Sequence, residues 1–389
     1  MNIAFCYENV LPARGGCETY ISDLARRLVA DGHEVHLYAS QWDAAALPET
    51  MHYHALPTSS GPRFLRPWRF ARACESALQG ANHDVSLGFD KTWGQDVLYP
   101  QGGLHAASAL HNLRKHPGSF ARRLARLVKA LDVAHWSFKL LERKQYLGER
   151  RPLIVVNSHM VRGHFERLLG ISPQSLRVVR SAIDPERFVE HDRLKRRIEW
   201  REQFGIRPDE TVALFAAMNY RLKGLEPLLH AVRLLPSAAP FRLAIVGNPR
   251  AGAYERLAHR LGIAQRVCFA GHCDDMRNGY FAADFLVHPT FYDPCSLVVL
   301  EALACGLPVI TTKYNGAAEL LTPPQEGYVI ANPHEHARLA WAMTQLLDPV
   351  RRAGCAQAAR KAAAGWTFEQ HYRQLFQVFV EAAKRKRAA

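Results

Sequence analysis

Ile3-Ala4-Phe5-Cys6-Tyr7, the pair Gly15-Gly16, the run Tyr20 to Ala30, the pair Gly32-His33 and Glu34-Val35-His36-Leu37-Tyr38 follow one another at the start of the chain. The first and last of these are short apolar runs of strand length, and the glycine pair breaks the chain after the first. Between them Ile21, Leu24, Ala25 and Leu28 recur three or four apart, which gives a helix one buried stripe. Gly32 closes that helix, because a glycine just past the last turn adopts the left-handed conformation without strain. Strand, helix and strand in this order make a βαβ unit, from which parallel sheets are built.

Strand-length runs continue at Val85-Ser86-Leu87, Leu153-Ile154-Val155-Val156 and Arg177-Val178-Val179, enough for a first doubly wound sheet. Asp184 to Phe204 is rich in charge, lacks apolar periodicity and contains Pro185, so the junction falls there. The pattern then restarts: a strand at Val212-Ala213-Leu214-Phe215, a helix from about Leu225 to Leu235, and strands at Leu243 to Val246, Val267 to Phe269, Phe285 to Val287 and Val309-Ile310. The predicted α/β fold is two tandem Rossmann-like domains facing a central cleft, residues 1–183 and 205–365, joined by a 184–204 linker. A C-terminal helix in 366–389, with Tyr372, Phe376, Phe379 and Val380 as its stripe, is expected to pack back toward the first domain. Such sheets bind ligands beyond the carboxyl ends of their strands.

The 389 residues suit two or three domains, each with its own core, and exclude a disordered chain or a small disulfide scaffold. No stretch approaches the roughly 18 apolar residues of a membrane-spanning helix. Met1 to Val10 has an acid at Glu8 and no basic lead into a long apolar run, unlike a signal peptide, so a cytoplasmic location is expected. The eight cysteines are scattered, without a C-x-x-C pair or a nearby histidine at zinc spacing, and read as reduced thiols. Fifty Lys+Arg against 36 Asp+Glu, a net charge of +14, is left to explain.

The strongest chemical signal is Asp293-Pro294-Cys295-Ser296-Leu297-Val298-Val299-Leu300-Glu301, two acids separated by seven residues and followed by Ala302-Leu303-Ala304-Cys305-Gly306-Leu307-Pro308-Val309. Pro294 suits the first turn of a helix that Gly306 and Pro308 end. Asp293 is thus expected at the helix mouth and Glu301 about two turns along. Unpaired N–H groups and partial positive charge at a helix N-terminus suit a diphosphate, and flanking carboxylates accept hydrogen bonds from sugar hydroxyls on either side. The plainer reading is a helix cap and a local structural pair.

The whole pattern resembles a family-4 glycosyltransferase of the GT-B fold, and within it the lipopolysaccharide core glucosyltransferase I group. That family's two acids precede A-x-A-x-G-x-P-V, here Ala302, Ala304, Gly306, Pro308 and Val309. Its first acid is usually Glu, and Asp293 is one methylene shorter. Gly15-Gly16 with Glu18 resembles the N-terminal glycine loop, Leu87 to Val97 a stretch of the subgroup, and Lys223-Gly224 the phosphate-binding site. The family's usual Arg before that lysine is Met218 here, with Arg221 as the substitute charge, and Thr312, Asn315, Gly316 and Glu319 match a later segment except that Asn315 replaces a glycine.

The resemblance implies catalytic roles for Lys223, Asp293 and His105. It implies donor contacts at Gly15, Gly16, Arg221, Lys223, Gly247, His272, Asp293, Cys295, Ser296, Leu297 and Glu301. It further implies a UDP-sugar donor, transfer with retention, no metal and no cofactor, and a lipopolysaccharide core acceptor.

Between Arg114 and Arg151 eleven basic residues face three acids, and Phe120, Leu124, Leu127, Leu131, Ala134, Phe138 and Leu141 recur at spacings of four and three. This reads as a basic amphipathic helix, suited to an anionic membrane surface. The alternative is a domain helix with its stripe buried. No nucleic-acid module or interleaving of basic and stacking residues is present, so nucleic acid is not an expected partner. A nucleotide-sugar epimerase fits the acid pair less well.

Overall fold

The computed structural model describes residues 1–11, 16–57, 61–62, 64–149, 151–188 and 192–388. They form two units: Met1–Leu113, Gly118–Arg180 and Glu369–Ala389 make the first, and Arg114–Pro117 with Ser181–Phe368 the second.

The first unit is built on seven strands: β1 (Asn2–Cys6), β2 (Glu34–Ala39), β3 (His52–Ala55), β4 (Val85–Phe89), β5 (Val97–Tyr99), β6 (Leu153–Val156) and β7 (Leu176–Val178). Their order is β3-β2-β1-β4-β5-β6-β7, with every pairing parallel. Strands covered on both faces read as unbroken apolar runs, and β4 and β6 are buried at every residue. The helix α1 (Gly16–Ala30) lays the predicted Ile21, Leu24, Ala25 and Leu28 into the same core as Phe5, Leu37, Leu87 and Tyr99.

The C-terminal helix, Phe368–Ala388, joins that core through Tyr372, Leu375, Val378, Phe379 and Ala382. Its stripe is rotated from the predicted one, leaving Phe376 half-buried and packed at the margin. Ion pairs fix the helix, with Glu381 accepting from Arg177 at 2.6 and 3.0 Å, and Arg27 2.5 Å from Glu369.

The predicted single basic helix over 114–151 is corrected to separate helices. After α2 (Arg66–Leu78) come α3 (His105–Arg114), α4 (Ser119–Ala130), α5 (Val133–Leu147) and, beyond β6, α6 (His159–Leu169). The break falls at Asp132, whose carboxylate accepts from Ala134 N at 2.9 Å and starts a new helix. The apolar positions then have different fates: Leu141 on α5 is buried, while α4 has no buried residue.

The second unit repeats the plan with β8 (Thr211–Ala217), β9 (Phe241–Gly247), β10 (Val267–Gly271), β11 (Phe285–His288), β12 (Val309–Thr312) and β13 (Gly327–Ile330). Their order is β10-β9-β8-β11-β12-β13, again all parallel. Most of the segment read as a linker belongs to this unit as the helix α7 (Arg193–Gln203). Besides the buried Trp200, it is held by charge. Arg197 and Arg201 each reach Asp284 at 2.8 Å, and Arg197 also donates to the carbonyls of Phe281, Ala282 and Ala283 at 2.9–3.1 Å.

Candidate active site

In the second unit β8 has β9 on one side and β11 on the other, so successive connections leave the sheet centre in opposite directions. That switch point opens a crevice at the strands' carboxyl ends. The chain leaving β8 turns at once into the short helix α8 (Tyr220–Lys223), capped by Asn219 Oδ1 accepting from Leu222 N at 3.1 Å. Gly224 follows at φ +84°, where a Cβ would lie 2.1 Å from the Pro289 carbonyl oxygen. Only glycine permits that approach, which presses the end of α8, just before the helix α9 (Leu225–Arg233) begins, onto the segment leaving β11.

Lys223 is thereby set against the first acid of the motif. Its Nζ stands 2.6 Å from Asp293 Oδ2 and 3.4 Å from the Tyr292 carbonyl. The Asp293 backbone is fixed too: its N–H donates to Tyr314 O and its carbonyl accepts from Gly316 N, both at 2.9 Å. The buried His288, last residue of β11, places Nε2 3.5 Å from the same Oδ2. Burial by itself would raise the Asp293 carboxyl, but the Lys223 ammonium and His288 outweigh it and hold the group well below the usual carboxylate range. It stays anionic. His288 is pushed down by burial and by Lys223, against the pull of Asp293.

After the helices α10 (Gly252–Arg260) and α11 (Met276–Ala282) the motif helix is α12 (Leu297–Ala304), with Ser296 as its N-cap residue. Pro294, expected in its first turn, instead precedes the cap, because the chain between Asp293 and Ser296 is tied to the strand-end loop. Asn315, the residue in place of a glycine, supplies the tie: its Oδ1 accepts from Ser296 N at 3.2 Å and Ala317 N at 3.0 Å, and its Nδ2 donates to Thr311 Oγ1. A glycine has no side chain to do this. Cys295 is buried with its thiol pushed up to about 12, first by burial and then by Asp293, so it is a packed thiol. Leu297 is half-buried at the first helical position.

Glu301 accepts a 2.5 Å hydrogen bond from the fully buried Tyr280. It also lines an open pocket of about 630 Å³ with Arg187, Phe188, Asp274, Asp275, Met276 and Arg277. Burial raises its carboxyl, opposed by the Tyr280 hydroxyl and Arg187. The second unit therefore offers an anion held beside an ammonium at the strand ends, and a second carboxyl opening onto its own pocket.

Two domain models match the chain: the one for glycosyltransferase family 4 over residues 14–187, and the one for glycosyl transferases group 1 over residues 196–362. The chain belongs to the GT-B glycosyltransferases. It is 25% identical over 358 residues to the lipopolysaccharide glucosyltransferase WaaG of Escherichia coli, covering 91% of this chain and 92% of that one. A probable transglycosylase of Burkholderia thailandensis is 29% identical over 388 residues, covering 97% of both. Among solved structures, the fold matches the crystal structure of WaaG, a glycosyltransferase involved in lipopolysaccharide biosynthesis, with a TM-score of 0.76 at 23% identity and 98% coverage of both chains. It matches Anabaena HepE in complex with UDP-glucose with a TM-score of 0.70 at 17% identity, covering 97% of this chain and 99% of that one.

The other predicted residues of this glycosyltransferase scatter more widely. Arg221 is exposed and places Nη2 3.5 Å from His116 Nδ1. Gly247, at φ +129°, is needed for packing, since a Cβ there would sit 2.1 Å from the Ala217 carbonyl oxygen. His272 is exposed, 3.4 Å from Asp274 Oδ1. Gly16 begins α1, and Gly15 lies outside the described residues.

His105 belongs to the first unit, at the start of α3. Its Nε2 is 3.1 Å from His135 Nδ1, and burial followed by His135 and Lys129 pushes it down to about 4, so it is neutral. It lines a pocket with Asp90, Lys91, Gly102, Gly103 and Glu142. The buried Glu142 side chain accepts from the N–H groups of His105 and Ala106 and anchors the start of α3.

Sequence reasoning missed His288 and Glu142. His288 had a local signal in its place just before Pro289 at a strand end, whereas Glu142 had none. Asp90, quoted only as part of a matching stretch, is the one non-glycine among the described residues at positive φ, +55°. It follows β4 directly, at the first sheet's own switch point, and lines two pockets, where local backbone strain accords with a functional role.

Proposed function

We propose that this glycosyltransferase moves glucose from UDP-glucose, with retention of anomeric configuration, onto an inner-core sugar of lipopolysaccharide at the cytoplasmic face of the membrane. The observation that carries the reading is the 2.6 Å Lys223–Asp293 pair at the switch point. In this reading the donor's diphosphate lies at the N-terminus of α12 and draws Lys223 onto the departing phosphate, where a positive charge lowers the barrier. Asp293, kept anionic, accepts from hexose hydroxyls, and Glu301 accepts from the ribose. The leaving phosphate takes the proton of the incoming hydroxyl on the same face, and the scheme calls for neither metal nor cofactor.

The likeness to the Escherichia coli lipopolysaccharide glucosyltransferase along most of both chains supports the donor and acceptor. A different hexose is the second reading, favoured by the shorter reach of Asp293 where the family usually has Glu. Membrane docking is assigned to α4, whose Phe120 (79% exposed), Leu124 (53%), Leu127 (65%) and neighbouring Leu131 (84%) stand in solvent beside Arg122, Arg123, Arg126 and Lys129. The partner is an anionic bilayer, and no helix among the described residues is long and apolar enough to cross one.

A panel of UDP- and GDP-sugars offered with truncated lipopolysaccharide, read by mass shift, tests the proposal. Addition of one hexose from UDP-glucose is expected; transfer only from another donor selects the second reading, and transfer from none overturns both.

A further inference from the structure

The outer edge of the first sheet carries a cluster of side chains for which glycosyl transfer has no use. Glu34 and His36 lie on one face of β2, two residues apart, and the parallel register sets His36 opposite His52 of the edge strand β3. Glu34 Oε1 stands 3.1 Å from His36 Nε2 and 3.3 Å from His52 Nε2, and the three ligand-type atoms all lie within 4.8 Å of one another. One carboxylate oxygen and two imidazole nitrogens are thus gathered within 4.8 Å of one another at the surface.

We propose that Glu34, His36 and His52 bind one divalent transition-metal ion of the zinc class, with solvent completing its coordination. A tetrahedral ion with bonds of about 2.0–2.1 Å holds its ligand atoms about 3.3–3.4 Å apart, close to the spacing of Glu34 with each imidazole. Imidazole nitrogen selects zinc, cobalt, nickel or copper over magnesium and calcium.

Groups behind two of the three ligands, Glu34 and His36, hold them in place, as outer partners of metal sites do. Glu34 Oε2 accepts from Asn2 Nδ2 at 3.4 Å, and Asn2 Oδ1 lies 2.5 Å from His83 Nδ1. His36 Nδ1 is 2.9 Å from His54 Nε2. His36 is largely buried, whereas Glu34 and His52 are half exposed, so an ion has a path in. Bound there, the ion clasps the edge strand β3 to β2, and because the unfolded chain has no such site it stabilises the native state.

The test titrates Co²⁺ and Zn²⁺ into the full chain without an affinity tag, beside Glu34→Gln and His52→Ala. Both substitutions fall on exposed side chains, and the metal-free unfolding midpoints of the variants are measured first to confirm that they fold. One equivalent of Co²⁺, displaced by Zn²⁺ and lacking thiolate charge-transfer absorption, is expected. Each variant should bind at least tenfold more weakly, and Zn²⁺ should raise the unfolding midpoint of the parent only. Absence of stoichiometric binding, undiminished affinity in both variants, or cobalt–thiolate absorption would overturn the proposal.

Discussion

Asp293 and Glu142 show how one functional group, the side-chain carboxyl, takes opposite electrostatic roles within one chain. Asp293 is buried beside an ammonium and stays anionic; Glu142 is buried beside two backbone N–H groups and is pushed up to about 7, with burial the larger effect. Lys223→Ala removes the charge next to Asp293 and, on the proposed mechanism, the group that meets the departing phosphate. Turnover on the UDP-sugar is expected to fall about a hundredfold, the order seen when one charge-stabilising donor is lost, and steady-state kinetics check it. For Glu142 the native state binds its proton more tightly than the unfolded chain does. Its contribution to stability is therefore full below about pH 4.5 and fades as pH rises through about 7. Glu142→Gln should flatten that part of the stability profile, as read from urea midpoints across the window.

At the scale of elements, α4 and α5 share one apolar rhythm in sequence and separate in structure. Asp132 ends the rhythm by capping α5, after which α5 turns Leu141 inward while α4 keeps its apolar residues in solvent. A helix of this composition whose apolar face is left exposed by the described residues suits an interfacial position. Leu124→Gln together with Leu127→Gln should abolish cosedimentation with anionic liposomes at low salt. The thermal midpoint should stay unchanged, because neither side chain is part of the core. Loss of both binding and stability would instead mean that the face is covered within the folded protein. The helix α7 makes the complementary point: lacking periodicity, it reads as a linker, yet Arg197 and Arg201 dock it through Asp284 and the carbonyls that end α11.

For the molecule as a whole, the chain's last helix completes a core begun by its first strand. Leu375 is fully buried among Tyr372, Val378 and Phe379 in the cluster that contains Ile3 and Phe5. Leu375→Ala leaves a cavity there, at a cost of about 2–5 kcal/mol, and a clear drop in the thermal unfolding midpoint is expected. An unchanged midpoint would show that the helix adds little to the first unit.

The amino-acid order alone determined the βαβ start, the restart of the same pattern after residue 205, and the motif from Asp293 to Glu301, because each depends on neighbours in sequence: strand-length apolar runs, helical spacing, and glycine where the backbone must turn. It also marked Lys223, though not its partner. Only the tertiary structure decided that Lys223 meets Asp293, that His288 stands behind it, that Asn315 ties the loop, and that Arg221 reaches His116. Lys223 and Asp293 lie 70 residues apart and meet through the ends of the adjacent parallel strands β8 and β11, and no local period encodes which strands become adjacent. The meeting of Glu34, His36 and His52 has the same origin, since the register of β2 on β3 makes neighbours of side chains that the sequence keeps apart.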